Sequence, residues 1–294
     1  MKKNNVRKLP KNQEIAILSF IKEKNLEEKG FFNKILRDDI FHLLESQDCI
    51  VLYYPQENEE NNGFHVNHPF RGKLKKFVYI NTAQLKETQI FAAAHELGHI
   101  WGVVEYMKEK GFSSENIEDW DEWIINRFAA ELLMPVNEFH QVCKRELDIV
   151  EEQYKHNQMP MKYAISVITA IMNEFFTPYK SVVHRFYELG VISNETAFML
   201  LDEYDSGLLR DYSEKIAKEQ GYSRLFQPAD KLKHIDGLKE FLDKAKETDA
   251  MPEKWLFSMY KLFDFDYDTT IEKSLTENID ILKGGSVNAE DGGH

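Results

Sequence analysis

The chain has 294 residues and a formal net charge of −13, with 43% hydrophobic and 13% aromatic residues. This length and composition exclude a disordered chain and leave room for one large or two modest domains. The negative charge repels phosphate backbones, so it gives no general support for nucleic-acid binding. Two cysteines are too few for a disulfide framework, and no segment has the features of a signal peptide or a membrane span. We therefore expect a globular cytoplasmic protein.

The first 81 residues predict two helices followed by a small sheet. Apolar residues recur at helical spacing over residues 14–28 and 33–45. Short β-branched and aromatic runs at residues 49–54 and 76–80 predict strands, and the Asn62-Gly63 pair between them favours a hairpin turn. We predict that these strands pair in a small antiparallel sheet.

Two longer helices are predicted next. Residues 88–110 are apolar on several sides, as expected of a buried helix, and Gly111 suits its end. After an acidic loop, residues 118–134 predict a second helix, and Pro135 helps to end it. Together with the strands, these elements indicate an α+β fold.

The pattern His95-Glu96-Leu97-Gly98-His99 lies inside the first of these helices. Residues four apart project from the same helix face, so both imidazoles can reach one metal ion. Zinc accepts neutral imidazole nitrogens and favours tetrahedral geometry. Glu96 is placed to take a proton from water at the open coordination position and to pass it to a leaving amine. The pattern therefore predicts zinc-dependent hydrolysis of peptide bonds.

The alternative interpretation of this pattern is a pair of surface histidines on an amphipathic helix. It fits poorly, because alanines, Leu97, Ile100 and Trp101 surround the pair. Burying two imidazoles and a carboxylate without partners would cost several kcal/mol. A metal ion would supply the missing partner.

Catalytic zinc usually has three protein ligands and one water molecule, so a third ligand is needed. No histidine follows at short spacing, since His140 lies beyond Pro135. The acidic candidates are Glu105, Glu115, Glu118, Asp119, Asp121 and Glu122. Spacing favours Glu122, ahead of Glu118 and Asp121, with Asn126 one turn later to orient the carboxylate of Glu122. The remaining possibility is that these acidic residues only complement the helix dipole.

The runs AAAHELGHIWG and EWIINRFAAELLMP resemble the ImmA/IrrE family of zinc metallopeptidases. In the second run, Ile125 stands where alanine is usual. The resemblance covers about residues 15–139 and implies a zincin-like catalytic domain with Glu122 as the third zinc ligand. It also implies proteolysis of a protein substrate, often a helix-turn-helix transcriptional repressor.

The chain beyond Pro135 looks helical to about residue 282, with charged spacers at residues 144–155 and 202–205. Residues 165–193, broken near Thr177-Pro178, resemble the small helix-turn-helix-like module that often follows this catalytic domain. We predict four parts: a zincin-like domain (1–140), a helical helix-turn-helix-like module (141–200), a helical C-terminal region (201–284) and a disordered tail (285–294).

Three further features leave alternatives open. Lys180, His184 and Arg185 are too few basic residues for a convincing DNA reader on an acidic chain, so protein packing or recognition is favoured. Gly98 either lets a substrate or strand approach the metal helix or relieves packing. The resemblance favours an edge strand at residues 76–81 that pairs with extended substrate, and the alternative is a purely structural strand.

The leading function is a zinc metallo-endopeptidase. The alternative is a DNA-binding or protein-binding regulator, like an antitoxin or an adaptor, in which zinc is structural. No donor for transition-state stabilisation is assigned, although His65, His68, His140, Tyr154 and His156 are conceivable.

Overall fold

The structure is a computed structural model that describes residues 7–28, 34–57, 61–70, 73–112, 119–154 and 160–267. The chain forms two compact units, Met1–Leu232 and Lys233–His294. None of the helices in these described segments combines the length and the apolar character needed to cross a membrane.

The first unit carries an α+β arrangement, which confirms the predicted fold class. Its elements follow in the order α1 (Lys11–Glu28), α2 (Asp39–Glu45), β1 (Cys49–Tyr54), β2 (Gly63–Phe70), β3 (Lys73–Asn81), α3 (Lys86–Trp101), α4 (Val103–Glu109), α5 (Trp120–Leu133), α6 (Val136–Tyr154), α7 (Pro160–Phe175), α8 (Tyr179–Glu188), α9 (Asn194–Asp205) and α10 (Leu208–Glu219).

The sheet is mixed, which corrects the prediction of an antiparallel sheet. β3 is central, with β1 parallel to it and β2 antiparallel to it. The segment between the predicted strands is not a turn, because its alternating run from Phe64 to His68 forms most of β2. Gly63 begins this strand instead of closing a hairpin. The extra strand places β3 between two neighbours, so the prediction that β3 is an edge strand is wrong.

The predicted helix over residues 88–110 is divided at Gly102. α3 ends there because Gly102 adopts a left-handed conformation, with φ of 76°, and α4 starts at the next residue. Glycine reaches this region without the steric cost that a side chain imposes. The break separates α3 from α4. The buried character predicted for α3 is confirmed, because Ile90, Ala93 and Leu97 are fully buried.

The region after Pro135 is more continuously helical than predicted. Most of the supposed charged spacer at residues 144–155 belongs to α6, and the one at residues 202–205 belongs to α9. Both are amphipathic helices with Lys144, Asp148 and Asp202 among the charged residues on their exposed faces, although Glu146 is buried, and this explains the misleading composition. The break near Pro178 is confirmed, since α7 ends at Phe175 and α8 starts at Tyr179.

A buried ion network joins α8 to the end of α5. Arg185 is fully buried, and its guanidinium donates to the carbonyl oxygen of Met134 at 2.8 and 3.1 Å. The same side chain lies 2.7 Å from the carboxylate of Glu131, and Arg127 pairs with Glu131 and with Glu188. Arg185 therefore serves packing and cannot contact DNA from this position.

The second unit is described over residues 233–267. It contains the short strand β4 (His234–Ile235) and two helices, α11 (Leu238–Glu247) and α12 (Glu253–Leu262). The helices bury Leu242, Ala245, Leu256 and Tyr260 against each other. The predicted disordered tail lies outside the described residues, and the predicted four-part division stays a prediction.

We expect the Arg185→Met substitution to destabilise the protein by about 3–5 kcal/mol, because it removes one of the two cations that pair with the buried carboxylate of Glu131 and also the donor to the carbonyl oxygen of Met134. Urea unfolding of the purified variant measures this change in the free energy of unfolding. Arg224→Met is the matched control: Arg224 and its partner Asp38 are half exposed, and such pairs contribute only about 0–1 kcal/mol. Equal effects of the two substitutions would contradict the structural role of Arg185.

Candidate metal centre

His95 and His99 lie one turn apart on α3 and direct their rings to the same point. Their Nε2 atoms are 3.3 Å apart, and each side chain is 17% exposed. The helix delivers this geometry because residues i and i+4 share a face. The surrounding α3 residues Ala94, Leu97 and Gly98 are buried, so the pair opens onto solvent only on one side.

Glu122 reaches the two imidazoles from the first turn of α5. Its carboxylate oxygens lie 3.2 Å from His95 Nε2 and 3.7 Å from His99 Nε2. Donor atoms at about 2.0–2.1 Å from a tetrahedral zinc ion are separated by about 3.3–3.4 Å. Nε2 of His95 lies 3.2 Å from Oε2 of Glu122, Nε2 of His99 lies 3.7 Å from Oε1, and the two Nε2 atoms are 3.3 Å apart, so these separations are close to those of one tetrahedral zinc site.

The other candidates for the third ligand are engaged elsewhere or point away. Asp121 pairs with Lys108 at 2.9 Å, and Asp119 precedes α5 as its exposed N-cap residue. Glu105 is exposed on α4, and His140 is exposed on α6. Glu115 and Glu118 lie outside the described residues. Among the described candidates, the structure brings only Glu122 to the histidine pair.

Asn126, one turn after Glu122 on α5, fixes the tautomer of His95. Its Oδ1 atom lies 3.0 Å from Nδ1 of His95. An amide oxygen can only accept, so Nδ1 of His95 carries a hydrogen, and in the neutral ring the lone pair is on Nε2, the atom that faces His99 and Glu122. The sequence predicts that Asn126 orients Glu122, whereas in the structure Asn126 contacts His95.

Glu96 lies against the histidine pair and is almost completely buried, with 4% of its side chain exposed. Its Oε2 atom is 3.1 Å from Nδ1 of His65, a residue of β2. The ring of His65 also packs against that of His99, with centroids 4.4 Å apart. The sequence patterns alone did not place His65 beside Glu96. The signal that could have revealed it is the strand-like alternation of residues 64–68, which predicts a strand that carries His65.

The electrostatics of the cluster favour a cation. Burial lowers the pKa of His95, but its hydrogen bond to Glu122 and the charge of Glu96 outweigh burial and raise it overall. Burial, together with the neighbouring His95 and His65, lowers the pKa of His99. The hydrogen bond from His95 lowers the pKa of Glu122. These shifts describe a protonated His95 that donates to an ionised Glu122, so a divalent ion bound here would take the place of the hydrogen on Nε2 of His95.

Gly98 allows α5 to approach α3 closely. A Cβ atom at this position would lie 2.8 Å from the ring of Phe128 and 3.3 Å from Ile125. Both neighbours belong to α5, three and six residues beyond Glu122. This answers the question that the sequence left open, because the space at Gly98 is taken up by a neighbouring helix and not by a strand or substrate.

We expect Glu122→Gln to abolish stoichiometric zinc binding, because an amide oxygen is a much weaker ligand than a carboxylate for this ion. Elemental analysis of metal-replete protein after desalting measures the bound zinc. Asp121→Asn is the matched control on the same helical turn, and it should keep one zinc ion per chain. Full zinc retention in Glu122→Gln would rule out Glu122 as a ligand.

We expect Gly98→Ala to destabilise the protein by about 1–3 kcal/mol, since the added methyl group overpacks the contact with Phe128. It should also weaken zinc binding, because α5 carries Glu122. Chemical denaturation and competition with a chromophoric chelator measure the two effects. Adding Phe128→Leu should restore part of the stability and part of the zinc affinity. A double variant that is as unstable and binds zinc as weakly as Gly98→Ala alone would contradict the packing explanation.

Comparison with known proteins bears on the same region. Residues 44–187 match the Peptidase_M78 family model, which is described as an IrrE N-terminal-like domain. No curated protein matches the chain. A solved structure, a Mycobacterium tuberculosis transcriptional regulator, is similar with 16% identity and a TM-score of 0.41, over 62% of this chain and 48% of that one. This likeness spans about half of that protein and is too weak to bear on function.

The family match contains α3, α5 and β2, and hence every residue of the metal centre described above. It also continues through Arg185 of α8, beyond the segment over which the sequence motifs show the resemblance. The predicted resemblance is confirmed for this segment: residues 44–187 are a domain of the Peptidase_M78 family, of the IrrE N-terminal-like type.

Proposed function

We propose that this protein is a zinc-dependent endopeptidase that cleaves a protein substrate in the cytoplasm. The observation that carries the proposal is the convergence of His95, His99 and Glu122 at tetrahedral spacing beside the buried carboxylate of Glu96. A purely structural zinc site is typically closed by four protein ligands, whereas three ligands leave a position for water and substrate. Membership of a peptidase family supports the same conclusion.

In this proposal His95, His99 and Glu122 hold the zinc ion, and Asn126 keeps His95 in the binding tautomer. Bound zinc supplies a Lewis acid that polarises the substrate carbonyl and makes a neighbouring water more acidic. The protein supplies the rest: a fixed set of ligands, a buried surround and a proton acceptor.

Glu96 is the general base. Because it is adjacent to His95 along α3, its carboxylate lies at the edge of the ligand cluster without being one of the three ligands. It accepts a proton from the attacking water and then donates it to the nitrogen of the leaving amine, which completes the hydrolysis of the peptide bond. Its burial excludes bulk water, which would otherwise compete for the same proton.

The substrate approaches along β2. In the described part of the first unit, β2 pairs only with β3, so its other edge is available to an extended peptide. Pairing of backbone groups along such an edge is a common way to hold a peptide without strict sequence preference. Since His65 of β2 contacts Glu96, a peptide on this edge passes close to the general base.

For the identity of the substrate, the resemblance to the ImmA/IrrE family favours a helix-turn-helix transcriptional repressor. The rival function is a regulator that binds DNA or protein and uses zinc only as a structural element. Burial of Arg185 removes one of the few basic residues on which a DNA-reading role for α8 would depend. We therefore retain protein cleavage as the function.

We expect Glu96→Gln to keep one zinc ion per chain and to lose cleavage by at least about 100-fold, because general-base catalysis contributes roughly 10²–10⁴-fold. Quantitative proteomics of cells that express wild type or Glu96→Gln identifies substrates as proteins whose fragments require the carboxylate. Purified protein and the nominated substrate then give the rate. Identical fragment patterns in the two strains, with zinc bound in both proteins, would favour the regulator.

A further inference from the structure

We propose that His65 is a positioning residue that holds the carboxylate of Glu96 in the orientation needed by a general base. The proposal rests on the proposed function, since it assigns the role of general base to Glu96. It adds to the zinc cluster a residue from a different element, the edge strand β2.

Gly63 lies where β2 passes beside both β3 and α3. A Cβ atom at Gly63 would lie 2.9 Å from the carbonyl oxygen of Tyr79 on β3, so a side chain there would disturb the pairing of β2 with β3. The same position lies 3.6 Å from Cγ of Glu96 and from Cβ of Ala92. Two residues later on the strand, His65 faces the same side, because alternate residues of a strand share a face.

The contact of His65 with Glu96 is a directed hydrogen bond. Nδ1 of His65 and Oε2 of Glu96 are 3.1 Å apart, and the carboxylate can only accept, so the imidazole donates. Within the described part of the chain, no second hydrogen bond to the Glu96 side chain accompanies it. A buried carboxylate with one anchored oxygen keeps the other free to receive a proton.

Packing restrains His65 from the other side. Its ring lies against that of His99 with centroids 4.4 Å apart and planes inclined by 32°. This contact limits rotation of both rings, so His65 is held between Glu96 and a proposed zinc ligand. The side chain of His65 is 29% exposed, which leaves its outer edge at the open side of the cluster.

The rival role for His65 is that of a metal ligand, because donor atoms of His65, Glu96 and His99 also lie within 4.8 Å of one another. In that arrangement the carboxylate of Glu96 would be consumed as a ligand, and His95 and Glu122 would be left out. The tilted stacking of the His65 and His99 rings is that of packed rings. Positioning of Glu96 is therefore the better assignment.

The test compares His65→Leu and His65→Gln with the control His42→Leu. His42 is an exposed histidine on α2, an element that contributes no residue to the proposed site. Each protein is loaded with zinc, and its zinc content is measured by elemental analysis. Turnover is measured on a fluorescence-quenched peptide that wild type cleaves. Imidazole ¹H–¹⁵N spectra of the zinc-loaded wild type and Glu96→Ala report the tautomer of His65.

We expect His65→Leu to keep one zinc ion and its KM while kcat falls about 10- to 100-fold, the scale of loss when a catalytic group is misplaced. His65→Gln should recover most of kcat, since its amide can donate the same hydrogen bond, and His42→Leu should match wild type. In wild type, His65 should carry its hydrogen on Nδ1, with ring signals that shift in Glu96→Ala.

Several outcomes would overturn the proposal. Loss of zinc from His65→Leu would make His65 a ligand, and an unchanged kcat would make it a bystander. Ring signals that ignore Glu96→Ala, or a hydrogen on Nε2 alone, would remove the contact itself. A wild type as inactive as Glu96→Gln on every peptide would instead refute the proposed function, and the spectra would still decide whether His65 holds Glu96.

Discussion

The close packing of α3 against α5 at Gly98 is the constraint on which the metal centre depends. The ring of Phe128 occupies the space that any side chain at position 98 would need. This contact brings α5 near enough for Glu122 to reach both imidazoles and for Asn126 to orient one of them. A glycine inside a helix costs about 1 kcal/mol relative to alanine, and here the cost is offset by a contact that no larger residue permits.

The sheet completes the centre from the other side. β2 lies at the edge of the sheet, and its first residue, Gly63, lies in ordinary contact with Glu96 of α3. The carboxylate of Glu96, the proposed general base, is therefore enclosed between a helix and a strand and is almost completely buried. Because β2 is also the strand available for backbone pairing, substrate binding and proton transfer are proposed to occur along one element.

The helix α8, which lies well after Pro135 in the chain, packs directly against the helix that carries Glu122. Arg185 of α8 donates to the carbonyl oxygen of Met134, directly after α5 ends, and pairs with Glu131 of α5. The family match accordingly continues to residue 187. Removing one partner of a buried ion network leaves an uncompensated charge, which lowers the stability of the fold. The network therefore fixes the C-terminal end of α5, the helix that carries Glu122.

By itself the sequence determined the histidine pair, Glu96, the predicted role of Glu122 and the family, because spacing along one helix and short motifs are local properties. It also indicated the α+β class from the change between helical and strand periods. Only the tertiary structure decided the strand order, the central place of β3, the division of the helix at Gly102 and the contact of His65 with Glu96. These features depend on which surfaces meet: strand pairing partners and close helix contacts lie far apart in the chain, and no local period encodes them.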